Sequence, residues 1–266
     1  MGRKVNLWNY LRVDLYRSII SWRFLAGIAG VAFTMYLASL EGIASDTSVT
    51  YMVWLIVYGM PFMLCLVFSA FPFSGCFCED FEQKYAHLQI ERGNLVNYAV
   101  SKIITVMLAA MATMMLGVVL YVSILHFRLP WFDADDAVCQ SAVTLGGFRS
   151  IISGGYYVLY FALFGLQYGI MAGILALLAA YVSLFINNKL LTLAVPFMGF
   201  YLISYYSGAL FGANEKMNLI YIFNATYNIW DNDVLSFVYA VAIGMFLAGV
   251  LGLLTVYRLR KKVSNE

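Results

Sequence analysis

The residues best able to do chemistry in this chain are crowded into one polar stretch, residues 77–102, which reads CEDFEQKYAHLQIERGNLVNYAVSK from Cys78. Glu79, Asp80 and Glu82 place three carboxylates within four positions, and Arg92 and Lys102 follow as cations. Carboxylates so grouped suit the start of a helix, where backbone N–H groups lack partners. Phe81, Tyr85, Leu88 and Ile90 give that helix an apolar side, and Gly93-Asn94 reads as its stop. A second helix then starts at Leu95 and carries Lys102 into an apolar run. The chemistry such a segment offers is recognition: an amphipathic helix with a charged start can dock into a groove on another protein.

Covalent chemistry finds little support elsewhere. The histidines are His87 and His126, so no Ser–His pair or zinc set can assemble within the apolar runs. Cys76-x-Cys78 without neighbouring histidines is a poor metal site, and Cys65, Cys76, Cys78 and Cys139 are expected as free thiols. The sequence holds no GxxxxGK[ST] phosphate loop. No catalytic residue, metal ligand or cofactor is therefore assigned, and the chain is read as a non-enzyme that cannot hydrolyse ATP alone.

These residues must be positioned by a body that is 63% hydrophobic and 11% charged. Long uncharged stretches cover residues 24–40, 47–73, 103–125, 150–186, 190–211 and 234–257. About 20 apolar helical residues cross a ~30 Å hydrocarbon core. A barrel would show ~10-residue segments of alternating polarity, whereas residues 103–125 are apolar on every face. The fold class expected is an all-α membrane protein with six transmembrane helices.

Basic residues set the orientation. Thirteen Lys and Arg fall in the termini and the loops on the N-terminal side, against Arg128, Arg149 and Lys216 on the other, which also carries Glu41, Asp46, Asp133, Asp135, Asp136, Glu215, Asp231 and Asp233. Both termini are expected in the cytoplasm of a bacterium, with the chain multi-pass in its cell membrane. The basic residues reflect topology and anionic lipid, not nucleic acid. Residues 1–23 form an amphipathic interfacial helix, with Leu7, Trp8, Leu11, Leu15, Ile19 and Trp22 on one side and Arg12, Asp14 and Arg17 on the other. Residues 24–257 are expected to form the six-helix transmembrane bundle, with 77–102 as its one large cytoplasmic loop, and 258–266 a basic tail. No cleaved signal peptide is expected, since the first apolar run begins only after residue 23.

The spans carry no centrally placed ionisable residue, which argues against carriers driven by protons or sodium. Their polar groups are mild: Gln167, Ser183, Ser204, Tyr205, Tyr206 and Ser207. A packing role is expected for most, with Gln167, Ser204, Tyr205, Tyr206 and Ser207 as candidates for a substrate path. Gly165, Gly169 and Gly173, and again Ala240, Gly244, Ala248 and Gly252, recur every four residues and mark close helix contacts, either inside the chain or between subunits. Aromatic residues in 212–233 suit the membrane interface, with a partly re-entrant segment expected there. Asn224-Ala225-Thr226 matches a glycosylation acceptor, a pattern common by chance.

An N-terminal amphipathic helix, six spans with both ends inside, and an acidic-then-basic loop between the second and third spans resemble a type-2 ABC exporter permease. Glu79, Glu82, Ile90, Arg92, Tyr98 and Lys102 match that family's coupling region, while its usual Gly-Thr and Pro are absent. The resemblance implies a complex of two permease subunits, identical or related, with two separate ATPase subunits that hold ATP and Mg²⁺. It assigns ATPase coupling to Glu79, Asp80, Glu82, Tyr85, Arg92 and Lys102. A pathway poor in charge but rich in Met and aromatic residues implies a hydrophobic or amphipathic cargo: peptide, lipid or drug. Two other readings stand beside it: the membrane-embedded substrate-binding subunit of an importer, and a non-transporting scaffold or sensor.

Overall fold

The computed structural model describes residues 6–40, 47–186, 188–212 and 214–265, and all regular structure in them is helical. In chain order the helices are α1 (Leu7–Ile19), α2 (Trp22–Ser39), α3 (Val49–Val57), α4 (Pro61–Ala70), α5 (Cys76–Glu82), α6 (Tyr85–Arg92), α7 (Leu95–His126), α8 (Ala137–Thr144), α9 (Arg149–Ser153), α10 (Tyr157–Val182), α11 (Lys189–Phe211), α12 (Leu219–Phe223) and α13 (Asp233–Asn265). Their starts follow local chemistry. Side-chain oxygens of Ser21, Asn94, Asn188 and Asn232 accept hydrogen bonds from Phe24 N, Val96 N, Leu190 N and Val234 N, satisfying donors that the first turn leaves open.

The architecture is that of a multi-pass helical membrane protein. Helices α2, α7, α10, α11 and α13 are long and apolar enough to cross a membrane, and α3 with α4 makes a sixth crossing if taken together. That pair corrects the expectation of one continuous span over 47–73, because it bends by 85°. Pro61 opens α4 and lacks the N–H that would continue the preceding helix, so Tyr58-Gly59-Met60 becomes a corner. Helix α3 is held by the segment after α7, with Val49 N donating to Pro130 O at 2.9 Å and Thr50 N to Trp131 O at 3.2 Å. The stretch 150–186 is likewise divided, with Gly155 at φ +79° turning α9 into α10. A non-glycine side chain would be strained at that angle.

Helix α10 is the centre of the bundle: 78% of its core window is buried, against 22% in α11 and 17% in α13. Its glycines let it lie directly against α7. A Cβ on Gly165 would stand 3.0 Å from Met115 Cα, and one on Gly169 would stand 3.0 Å from Met111 O and 3.1 Å from its Cα. The second small-residue stripe also turns inward, with Ala240 and Ala248 buried on α13. Both stripes therefore serve contacts within the chain. Gly169→Val is expected to destabilise the bundle by about 1–3 kcal/mol, since the obstacle is backbone that cannot rotate aside. Thermal unfolding in detergent checks this, and an unchanged midpoint would show that α7 and α10 are not in van der Waals contact there.

Helix α1 presents its faces in an unusual way. Tyr10, Asp14 and Ser18 are buried against the bundle, whereas Trp8, Val13, Tyr16, Ile19 and Ile20 are exposed. The outward side is mostly apolar but also carries Asn9 and Arg12, a mixture that suits an interface between lipid and water. Tyr10 donates to Gln89 O at 2.6 Å, and Lys262 near the end of α13 donates to Leu184 O at 3.2 Å. Both ends of the described chain thus lie at the same end of the bundle as α5 and α6.

At the opposite end, α12 and its flanks pack inward against α10. Ile222, Phe223, Asn224 and Ala225 are buried there, and Gln167, ten residues into α10, donates to Ile222 O at 3.1 Å.

Candidate functional site: an ionic hub around α5

Helix α5 is short, yet its side chains reach α1, α2, α7, α11 and α13. Asp80 is at the centre. Its Oδ2 lies 2.8 Å from Lys102 Nζ and accepts from Tyr98 OH at 2.8 Å, both on α7. Its Oδ1 accepts from Arg17 of α1 at 3.2 Å. Asp14 of α1 completes the set, lying 2.9 Å from Lys102 Nζ and accepting from Ser101 Oγ at 2.6 Å. Lys102 meets its two carboxylates as ion pairs more than as directed hydrogen bonds, and its ammonium also lies 5.0 Å from the Phe73 ring centre and 5.6 Å from that of Tyr98.

Two carboxylates face two cations, so the cluster is formally neutral. It is also deeply enclosed, with the side chains of Asp80, Lys102 and Asp14 at 0%, 1% and 6% exposure. Burying charge is costly and is tolerated when the ions pair and their remaining valences are met. Tyr98 and Ser101 meet them here. Burial alone would lower the pKa of the Arg17 guanidinium, but the Asp80 charge and hydrogen bond outweigh it and raise it.

A second, more exposed set extends the hub. Glu79 pairs with Arg23 at the start of α2, and Lys189 at the start of α11 lies 3.0 Å from Glu82 and 3.8 Å from Glu79. Lys189 holds the Glu82 carboxyl below its usual range, helped by the Cys78 thiol, while burial and then Glu82 push that thiol up. On α13, Lys262 lies 4.1 Å from the Phe81 ring centre. Partly exposed pairs of this kind are worth little in stability individually. Their value is geometric, because each fixes the end of a long helix to α5.

The structure divides the six residues named for coupling. Asp80 and Lys102 are sealed inside the protein and cannot touch a partner of this chain. Glu79 is mostly covered, whereas Glu82 is exposed. Tyr85 is half-buried, takes Arg17 over its ring at 5.1 Å and accepts from Gln89 Nε2 at 2.5 Å. The side chain of Arg92 falls outside the described residues. The surface that α5 and α6 do offer is Glu82, Gln83, Lys84, Leu88 and Glu91. Lys84 sits at the corner between them in the left-handed region, φ 56°. A cleft of about 210 Å³ between α1 and α6 runs beside this surface, floored by Tyr10, Asp14 and Tyr98.

Sequence reasoning missed Asp14, Arg17, Arg23, Ser101 and Lys189 as members. One signal was present: Asp14 is the lone carboxylate among the cations of the N-terminal segment.

The candidate path residues are not brought together. Gln167 is spent on Ile222 O, and Ser207 donates to Asn218 Oδ1 at 2.8 Å while accepting from Leu219 N. Tyr205 and Tyr206 stand exposed on α11 at 64% and 56%. Ser204 lines a cavity of about 410 Å³ at the α3–α4 corner. Asn224, in the acceptor-like triplet, is buried there with its Oδ1 accepting from Tyr168, so it presents no glycosylation site. Cys65, Cys76, Cys78 and Cys139 are all buried free thiols. Comparison with protein-family models, curated proteins and solved structures yields no match for this chain.

Proposed function

We propose that this chain is the permease subunit of an ATP-driven exporter of the type-2 ABC kind, placed in the cell membrane with the α5–α6 end in the cytoplasm. The observation that carries the reading is the hub. A motor pulling on one short cytoplasmic element must transmit force to the spans, and α5 is tied by charge to α1, α2, α7 and α11. Partner ATPase subunits, holding ATP and Mg²⁺, would grip the exposed side of α5 and α6, and a second permease subunit would complete the pathway.

In this scheme Glu82, Tyr85 and Leu88 meet the ATPase, while Asp80, Lys102 and Glu79 are positioning residues that keep the gripped segment rigid against the bundle. Helix α1 lies in the inner headgroup layer, with its exposed Trp8, Val13 and Ile19 in lipid. The peripheral faces of α11 and α13, rich in exposed Leu, Phe, Met and Tyr, meet lipid or the second permease. The cargo is hydrophobic or amphipathic, consistent with spans that offer aromatic and thioether contacts but no central charge.

The test is purification of the tagged chain from its own membrane. A phosphate-loop ATPase should be retained, and its hydrolysis of ATP should rise when this subunit is present. Absence of any such ATPase, or hydrolysis indifferent to this chain, would overturn the reading.

A further inference from the structure

The break in the second crossing opens the 410 Å³ cavity between α4, α10, α11 and the dipping segment around α12, within the size range of small-molecule sites. Its wall is built from Tyr58, Tyr168, Tyr221 and Tyr227 with Met63 and Met171, and among the described residues no charged side chain lines it. Two of the phenols are committed to protein partners. Tyr58 OH shares a 2.7 Å hydrogen bond with Thr226 Oγ1, and Tyr168 OH donates to Asn224 Oδ1. Their rings, and not their hydroxyls, are what remains for a ligand. Burial, then Tyr58, Tyr221 and Glu215, push the Tyr227 phenol up to about 12, so it too is a neutral ring. Tyr58 and Tyr227 also line a neighbouring cavity of about 350 Å³, so the pair stands between the two spaces.

Rings attract cations through the negative face of their π-systems, and thioethers are polarisable, so a wall of tyrosine and methionine favours a soft positive charge over a negative one. An independent observation agrees. The loops at this end carry Asp133, Asp135, Asp136, Glu215, Asp231 and Asp233 against Arg128, Arg149 and Lys216, an excess of carboxylate that draws cations toward the opening.

We propose that this cavity is a binding site for a lipophilic organic cation, held against the rings of Tyr58, Tyr221 and Tyr227. Its description as a cargo site rests on the exporter reading, whereas the binding itself does not.

Tetraphenylphosphonium and tetraphenylborate have the same shape and opposite charge, and are the probes. Binding to the purified full chain, corrected for protein-free micelles, should be at least tenfold tighter for the phosphonium. Replacing Tyr58→Leu and Tyr227→Leu together should weaken phosphonium binding at least tenfold, while the Tyr→Phe pair should stay within threefold of the parent. Ser204→Trp, introduced from the exposed α11, should block the site without touching the tyrosines, so the result does not depend on the leucine pair folding. Equal affinity for the two ions, no binding of either, or phosphonium binding indifferent to Ser204→Trp would overturn the proposal. None of these readouts needs an ATPase, so failure of the site and failure of the exporter reading are told apart.

Discussion

Lys102→Met is expected to destabilise the chain by about 3–5 kcal/mol, the cost of removing one partner from a buried ion pair and leaving the opposite charge enclosed. Asp14 and Asp80 would then share only Arg17, whose guanidinium already leans toward Asp80 at 3.2 Å. For a chain of this size that loss lowers the melting midpoint by roughly 10 °C. The buried thiols provide the readout, because Cys65, Cys76, Cys78 and Cys139 react with a fluorogenic maleimide only as the structure opens. Combining Lys102→Met with Asp14→Asn and Asp80→Asn should recover much of the loss, since no carboxylate is then left unpaired inside and the one remaining charge, Arg17, has a side chain that is 31% exposed. A single variant that melts like the parent would show that the hub is not closed from water in solution. A triple variant no better than the single would show that the lysine acts through packing alone.

The second large effect concerns transmission, not folding. Charge reversal of Glu79 and Glu82 to Lys turns attraction toward Arg23 and Lys189 into repulsion and removes the exposed carboxylate that faces a partner. Because these pairs are partly solvated, the melting midpoint should move less than in Lys102→Met. Stimulation of the partner ATPase and export by the assembled complex should fall at least tenfold, with the subunit still inserted at normal abundance. Undiminished export from the double variant would remove the role assigned to this edge of α5. Equal loss of abundance and export would make the edge structural.

Much of the bundle was legible in the sequence because lipid imposes simple rules. Helix length and unbroken hydropathy located five of the crossings, α2 and α11 to within two residues, while α10 starts seven residues into the expected stretch 150–186 and α13 runs eight residues past 257. The four-residue spacing of small residues marked close helix contacts on α10 and α13. The sixth was misread as continuous because hydropathy runs through Tyr58-Gly59-Met60 without a change of sign, although Gly59 and Pro61 were the local warning. The partners of α1 were illegible for a deeper reason. Periodicity shows which residues share a stripe, but not whether that stripe meets lipid, water or protein. Here the protein supplies the polar surroundings, and Asp14 turns toward Lys102, which lies 88 residues later in the chain. Pairing across that separation has no local signature. The tyrosine cavity was hidden similarly: Tyr58, Tyr168 and Tyr227 come from three distant segments and meet because α4 bends and the α12 region dips inward.

What touches the exposed side of α6 decides whether an ATPase drives this chain. Leu88 is 50% exposed there, and the native thiols are buried, so Leu88→Cys offers one reactive position for a maleimide-borne photo-crosslinker in native membranes. The predicted result is an adduct with a phosphate-loop ATPase whose yield changes when ATP is bound. Labelling of Leu88→Cys by a membrane-impermeant maleimide from outside intact cells, or adducts containing no ATPase, would contradict it.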